Sequence, residues 1–286
     1  MAFPQNVKVV ILCGGQGTRM REETEYRPKP MVEVGGRPLV WHIMKGFAEH
    51  GYRDFVLCLG YRGSMIKQYF ANYRVLNSDV TLDLGSGAVA YDRDHAEDWR
   101  VTLVDTGDDA MTGARVKRVA GHLGTADHFL CTYGDGLADV DVTGLVRFHR
   151  QHGRLATVTG VRPPSRFGRL VTEGTTVQRF SEKPADEAGL ISGGFFVFDR
   201  RVLGRLSAAA ECVLEREPLE RLAGDGELHM FRHDGFWQCA DTVRDVDVLR
   251  GLWQQGRAPW RTWSDDGMRP EIPGAAVVPL RRAVGS

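Results

Sequence analysis

The chain carries no surplus of charge: 37 basic residues stand against 37 acidic ones over 286 positions. Without a basic excess there is no electrostatic footprint for nucleic acid or for an anionic membrane. No apolar run approaches the roughly 20 residues of a membrane span. The N-terminus has no basic stretch ahead of its short apolar run, so a secretory signal is not expected. The five cysteines form no C-x-x-C pair; Cys13, Cys58 and Cys131 fall in strand-like apolar runs and read as reduced core thiols of a cytoplasmic protein. The nine histidines contain no H-E-x-x-H motif, and His42 and His149, both on helical patterns, read as structural. Lysine is scarce: Lys8, Lys29, Lys45, Lys67, Lys117 and Lys183 are the six, and the other 31 basic residues are arginine. A lysine kept in so arginine-rich a chain is a candidate for a place that needs a compact ammonium.

What is present is concentrated near the N-terminus. The run Val9-Val10-Ile11-Leu12-Cys13 ends in Gly14-Gly15-Gln16-Gly17-Thr18-Arg19, and Arg27-Pro28-Lys29-Pro30-Met31 follows. The apolar run reads as a buried strand. The glycines let backbone N–H groups approach a ligand, and Arg19 and Lys29 add two cations around the loop, a device suited to a polyphosphate. It is not a dinucleotide fingerprint, because the third glycine position holds Met20, nor a Walker loop, because no Lys follows Gly17. The plainer alternative is a glycine-rich surface turn, which needs neither the arginine nor the Pro-Lys-Pro clamp.

Strand and helix patterns alternate through the first half. Strands are expected at Val7–Cys13, Asp54–Leu59, Arg100–Val104, His128–Thr132 and Leu155–Thr159, and helices at Leu39–His50, Met65–Tyr73, Val116–Leu123 and Val142–His152. This predicts an α/β sheet with helices on both faces and ligands at the carboxyl ends of the strands. Further on, Leu170–Val171, Val177–Phe180, Ile191–Asp199 and Leu228–His233 read as strands, and Val202–Ala208, Glu217–Ala223 and Val243–Gln255 as helices. Residues 264–286 carry three prolines and little periodicity, and read as a tail or edge extension.

Several constellations invite chemistry. Asp135, between Gly134 and Gly136 at a strand end, suits a hard divalent cation or a turn cap. Asp241 is a second acid for such a site; its plainer reading is the N-cap of the helix that follows, a role compatible with metal binding. Glu182-Lys183-Pro184 ends another strand; it can meet sugar hydroxyls and a phosphate, or form a surface ion pair. Gly193-Gly194 and Arg166-Phe167-Gly168 offer bare backbone for a close approach.

With these residues in view, the chain resembles the sugar-phosphate nucleotidyltransferases, and within them the glucose-1-phosphate cytidylyltransferase branch. The likeness runs from about residue 7 to 263 through Gly14–Arg19, Pro28–Gly36, Trp41–Lys45, Tyr69–Tyr73, Val101–Gly107, Met111–Gly113, Tyr133–Gly136, Arg166–Gly168, Glu182–Pro184, Gly193–Phe196 and Phe236–Gln238. The resemblance implies a Rossmann-like nucleotidyltransferase fold over 1–263, a mixed sheet flanked by helices with a small additional β region. Its nucleotide-binding half is about 1–150 and its sugar-binding half about 151–263. It implies that Leu12, Cys13, Gly14, Gly15, Gly17, Thr18 and Gly134 cradle the nucleotide, with Arg19 and Lys29 on its phosphates and Arg115 a phosphate-binding arginine at a subunit contact. Gly168, Glu182, Ser192 and Gly194 would face the sugar, Lys183 would bind the sugar phosphate, and Asp135 and Asp241 would ligate Mg²⁺. Arg19, Lys29, Lys183 and Asp135 are then the catalytic set. CTP, or another NTP, and a sugar 1-phosphate are the implied substrates, and a cytoplasmic homo-oligomer the implied assembly.

Two positions depart from the branch. Ser192 stands where an Asn is usual, and a hydroxyl is shorter and lacks the amide donors; Ala240 stands where Met is usual. The first touches the identity of the sugar, with α-D-glucose 1-phosphate the leading expectation. The rival readings are the same chemistry with UTP, dTTP or GTP, an inactive sugar-nucleotide-sensing subunit, and a glycosyltransferase. The last would need a D-x-D metal motif, and Asp139-Val140-Asp141 reads better as helix capping.

Overall fold

The computed structural model describes residues 6–17, 20–92, 96–163, 169–173, 175–181 and 189–263. Seven strands form the central sheet: β1 (Val9–Leu12), β2 (Asp54–Leu59), β3 (Arg100–Asp105), β4 (His128–Tyr133), β5 (Ala156–Val161), β6 (Ile191–Asp199) and β7 (Leu228–His233). In hydrogen-bonding order they run β7-β5-β6-β4-β1-β2-β3. β4, β1, β2 and β3 are mutually parallel, whereas β6 runs antiparallel to both β4 and β5. The expected mixed sheet is therefore present.

β1 is an interior strand between β4 and β2, and its four residues are all buried because helices cover both sheet faces. Val9 and Ile11 pack on one side with Leu39, Met44 and Phe47 of helix α1 (Leu39–Glu49). Val10 and Leu12 pack on the other with Val116, Leu203 and Leu222. The chain leaves β1 for β2 and β3 on one side, then crosses back to β4 on the other. The carboxyl ends of β1 and β4 thus form the switch point where such sheets open a crevice.

Two expectations shift, and a hairpin appears where no element was expected. The helix expected at 116–123 starts earlier, as α2 (Thr112–Arg118), and residues 120–122 form a separate 3₁₀ turn. Its first turn is set by tertiary bonds, Met111 N–H to Ala210 O at 2.7 Å and Ala114 N–H to Cys212 O at 3.0 Å, which leave no mark in hydrophobic periodicity. The helix expected at 202–208 is a 3₁₀ segment, Arg200–Arg205. Residues 79–92, where no period shows, form an antiparallel hairpin whose residues are exposed or half-buried, so alternation is weak. The capping reading of Asp141 holds: it accepts from Gly144 N–H at 2.9 Å and opens α3 (Val142–His152), while Asp139 lies 3.1 Å from His233. Among the described residues, no helix is long and apolar enough to cross a membrane.

His42 and His149 are structural, as expected. The His42 ring is 2.8 Å from Val34 O, and His149 is 2.9 Å from the Thr157 hydroxyl. Burial lowers both pKa values from 6.5 to about 4; at His149 the neighbouring His152 and His128 push the same way. The unfolded chain then binds protons that the folded chain refuses. Stability is full above about pH 6.5 and falls as pH drops toward 4, by on the order of 3 kcal/mol per histidine. The expected result is a melting temperature that declines between pH 7 and 4.5, with a shallower decline in His149→Gln. Identical slopes in the two proteins would contradict this.

Candidate active site

The crevice at the switch point is a cavity of about 340 Å³. Its floor is the end of β1 (Leu12, Cys13, Gly14, Gly15), one wall is Tyr133-Gly134-Asp135 at the end of β4, and the other is Ala110, Met111, Thr112 and Arg115; Gly17, Lys29, Pro30 and Asp241 complete it. All these ends point the same way because the strands are parallel.

Lys29 opens a 3₁₀ turn, Lys29–Met31, framed by Pro28 and the buried Pro30. The prolines pre-set the backbone and aim the side chain inward. Its Nζ lies 2.6 Å from Asp135 Oδ2 and 2.6 Å from Asp241 Oδ1. Burial would lower the ammonium's pKa. The Asp135 charge and hydrogen bonds to both carboxylates more than offset this and hold it above the ordinary lysine value.

The two acids are joined by a short ladder. Strand Trp237–Cys239 pairs antiparallel with Gly136–Ala138, and Ala240 N–H donates to Asp135 O at 2.9 Å. The N-cap alternative for Asp241 is corrected: Thr242 caps the following helix, Val243–Gln254, in a capping box with Asp245, which leaves the Asp241 side chain to the cavity. One ligand atom each from Asp135, Cys239 and Asp241 lie within 4.8 Å of one another. Burial raises the Cys239 thiol well above its usual pKa, so it remains a protonated, soft group. The two carboxylates are the oxygen donors that fit a hard divalent cation which keeps its waters.

Arg115 is built into the fold. It is 4% exposed, and its guanidinium donates to Leu59 O (2.9 Å), the Thr106 hydroxyl (2.7 Å), Gly107 O (2.8 Å), Gly14 O (3.0 Å) and Asp108 O (3.2 Å). It thus ties together the carboxyl ends of β1, β2 and β3. This gives Gly14 a second reason to be glycine, because a Cβ there would lie 2.2 Å from the guanidinium carbon. By contrast, a Cβ at Gly15 would meet nothing within 4 Å, so that backbone is open to a ligand. Gly14→Ala should therefore destabilise the fold by about 1–3 kcal/mol through overpacking. Urea unfolding checks it, and an unchanged midpoint would refute the strut.

Of the expected site residues, Leu12, Cys13, Gly14, Gly15, Gly17, Lys29, Arg115, Gly134, Asp135 and Asp241 meet around one cavity. Ser192 is exposed on β6 and does not line it; Gly194 is buried against the Tyr133 ring. Thr18, Arg19, Gly168, Glu182 and Lys183 lie outside the described residues. Pro30, Ala110, Met111, Thr112 and Tyr133 also line the cavity without having been singled out as contacts. Tyr133 was signalled by its place beside Gly134-Asp135, whereas Ala110 carries no chemical mark at all.

A family model described as nucleotidyl transferase matches residues 8–265, and the chain belongs to that family. It is 50% identical over 257 residues to a glucose-1-phosphate cytidylyltransferase of Salmonella typhi, covering 90% of this chain and 100% of that protein. It is 30% identical to a mannose-1-phosphate guanyltransferase of Aspergillus oryzae, over 86% of this chain and 63% of that one. A crystal structure of HddC from Yersinia pseudotuberculosis complexed with GMP-PN superposes with a TM-score of 0.64, covering 86% of this chain and 99% of that chain at 19% identity, a likeness of fold.

Proposed function

We propose that the chain transfers a cytidylyl group from CTP to α-D-glucose 1-phosphate, releasing pyrophosphate and giving CDP-glucose. The observation that carries this reading is Lys29 bridging Asp135 and Asp241 beside the open glycine backbone, with 50% identity to a glucose-1-phosphate cytidylyltransferase behind it. The reaction needs no protein nucleophile: a phosphate oxygen of the sugar phosphate, ionised near pH 7, attacks the α-phosphorus in line. Catalysis then rests on positioning and charge neutralisation. Gly14, Gly15 and Gly17 present backbone to the nucleotide. Lys29, with Arg19, balances charge gathering on the leaving pyrophosphate, Arg115 holds together the strand ends under the nucleotide, and Lys183 offsets the repulsion between two anionic reactants. Glu182 and Gly168 face the sugar, and Gly194 leaves room for the Tyr133 ring. Mg²⁺, held by Asp135 and Asp241, would supply further neutralisation of the phosphate oxygens. We also read the protein as a cytoplasmic homo-oligomer, on family resemblance; sedimentation of the purified chain tests the assembly.

Pyrophosphate release across CTP, UTP, dTTP, ATP and GTP against several sugar 1-phosphates tests the reading. CTP with glucose 1-phosphate should give the highest kcat/KM. A tenfold preference for another base would overturn the nucleotide, and no turnover with any pair would favour a sensing subunit. Ser192→Asn should raise kcat/KM on glucose 1-phosphate by about two- to tenfold, the worth of one neutral hydrogen bond. An unchanged constant and an unchanged sugar order would show that residue 192 does not touch the sugar.

A further inference from the structure

Tyr133 ends β4, two residues before Asp135. Its ring packs edge-on to Phe196, with centroids 6.1 Å apart. It also lies under Gly194, whose φ is +79° and where a Cβ would stand 2.3 Å from the ring. The ring is therefore fixed, and its hydroxyl reaches one partner, donating to Glu215 Oε1. Burial, reinforced by the Glu215 charge, keeps the phenol protonated, so it remains a donor. The other oxygen, Glu215 Oε2, accepts from the Thr112 hydroxyl at 2.6 Å, and Thr112 in turn accepts from Leu214 N–H at 2.9 Å. Thr112 is the first residue of α2, one turn before Arg115, and lines the cavity beside Ala110 and Met111. Leu214 is fully buried, so the segment that carries Glu215 is anchored although the carboxylate itself sits at the exposed rim.

A single carboxylate thus joins the strand end that bears Asp135 to the helix that bears Arg115. Both contribute residues to the lining of the cavity. We propose that Glu215 is a positioning residue for nucleotide binding, holding the two walls at a fixed separation by accepting from Tyr133 and Thr112 at once. This rests on the reading of the cavity as the nucleotide site. Both bonds are charge-assisted; without them Arg115 still holds α2 to the strand ends, but Thr112 and the Tyr133 ring lose the tie that sets their spacing. Nucleotide and divalent cation should then lose affinity together, because one touches both walls and the other sits on the β4 side.

The test uses the full chain with the NTP that the unsubstituted protein turns over fastest. A wrong nucleotide assignment then shows in the unsubstituted protein, and a wrong role for Glu215 shows only in the variants. Glu215→Ala should raise both the KM for the NTP and the half-saturating Mg²⁺ concentration by roughly 5–20-fold, with the melting temperature within about 3 °C. Glu215→Gln keeps one acceptor oxygen and should fall between. Tyr133→Phe alone should raise the same constants, yet add less than twofold on the Glu215→Ala background, because the tie is already broken. A merely structural role would lower the melting temperature and kcat with both constants unchanged. Constants within twofold of the unsubstituted protein in Glu215→Ala, or an undiminished Tyr133→Phe effect in the double variant, would overturn the proposal. Should Glu215→Ala fail to fold, Glu215→Gln and Tyr133→Phe carry the same comparison.

Discussion

Lys29→Ala is expected to lower turnover by roughly 10²–10⁴-fold, the usual loss when a preorganised electrostatic donor is removed. The ammonium is 13% exposed on its side chain and bridges two carboxylates at 2.6 Å each, so solvent cannot replace it cheaply. Its removal has a second, opposite consequence. Asp135 and Asp241 lose the cation that partly neutralises them, and two facing carboxylates attract a divalent cation more strongly. The half-saturating Mg²⁺ concentration should therefore stay level or fall while kcat collapses. This separation distinguishes loss of charge stabilisation from general damage to the site, which would weaken both. Lys29→Arg should recover little, because a planar fork does not fit where a compact ammonium meets two acids. Arg19→Ala is expected in the same range. Turnover within about threefold of the unsubstituted protein for both alanine variants would remove this loop from the phosphates.

Asp135→Asn and Asp241→Asn should each lower the rate by on the order of 10²-fold or more and raise the Mg²⁺ requirement together. The paired motion is the point: an amide keeps the shape and one acceptor but discards the charge that draws the cation. Asp135 is expected to matter more. It is the strongest opposite charge on Lys29, and it lies two residues beyond the end of an interior strand, whereas Asp241 follows the short ladder 237–239 against 136–138. Protein stripped with EDTA should be inactive and regain activity on adding Mg²⁺. Full activity after EDTA, or an Asp241→Asn protein that titrates with Mg²⁺ like the unsubstituted one, would show that the paired acids do not hold the metal.

Much of this site is written locally. An apolar run that breaks into glycines announces a buried strand ending in bare backbone. A lysine between two prolines announces a side chain held in place, and an Asp between glycines a carboxylate at a turn. Each of these signals is carried by neighbours in the chain, so each is legible before any tertiary contact is known. The sheet itself was legible for the same reason. Asp54–Leu59 and the 193–198 stretch of Ile191–Asp199 lie where composition places them, because burial on both faces demands apolar residues, whereas the edge strand Leu228–His233, half-buried or exposed over most of its length, is marked only by its weaker alternation.

Other features depend on partners far apart in sequence. The local sequence allows Asp241 or Thr242 to cap the helix, and it is Thr242, with its N–H 2.9 Å from Asp245, that does so. Nothing local marks Arg115 as a strut, since its acceptors at Gly14, Leu59 and Thr106 belong to three different strand ends. Glu215 gives no signal of its own; its two partners lie 82 and 103 positions away. By itself, then, the sequence determined which residue types the chemistry would use, because strand, turn and charge patterns are local properties. Only the tertiary structure decided which of them share a cavity and what holds its walls apart, because long-range hydrogen bonds and excluded volume act between residues that the chain brings together only on folding.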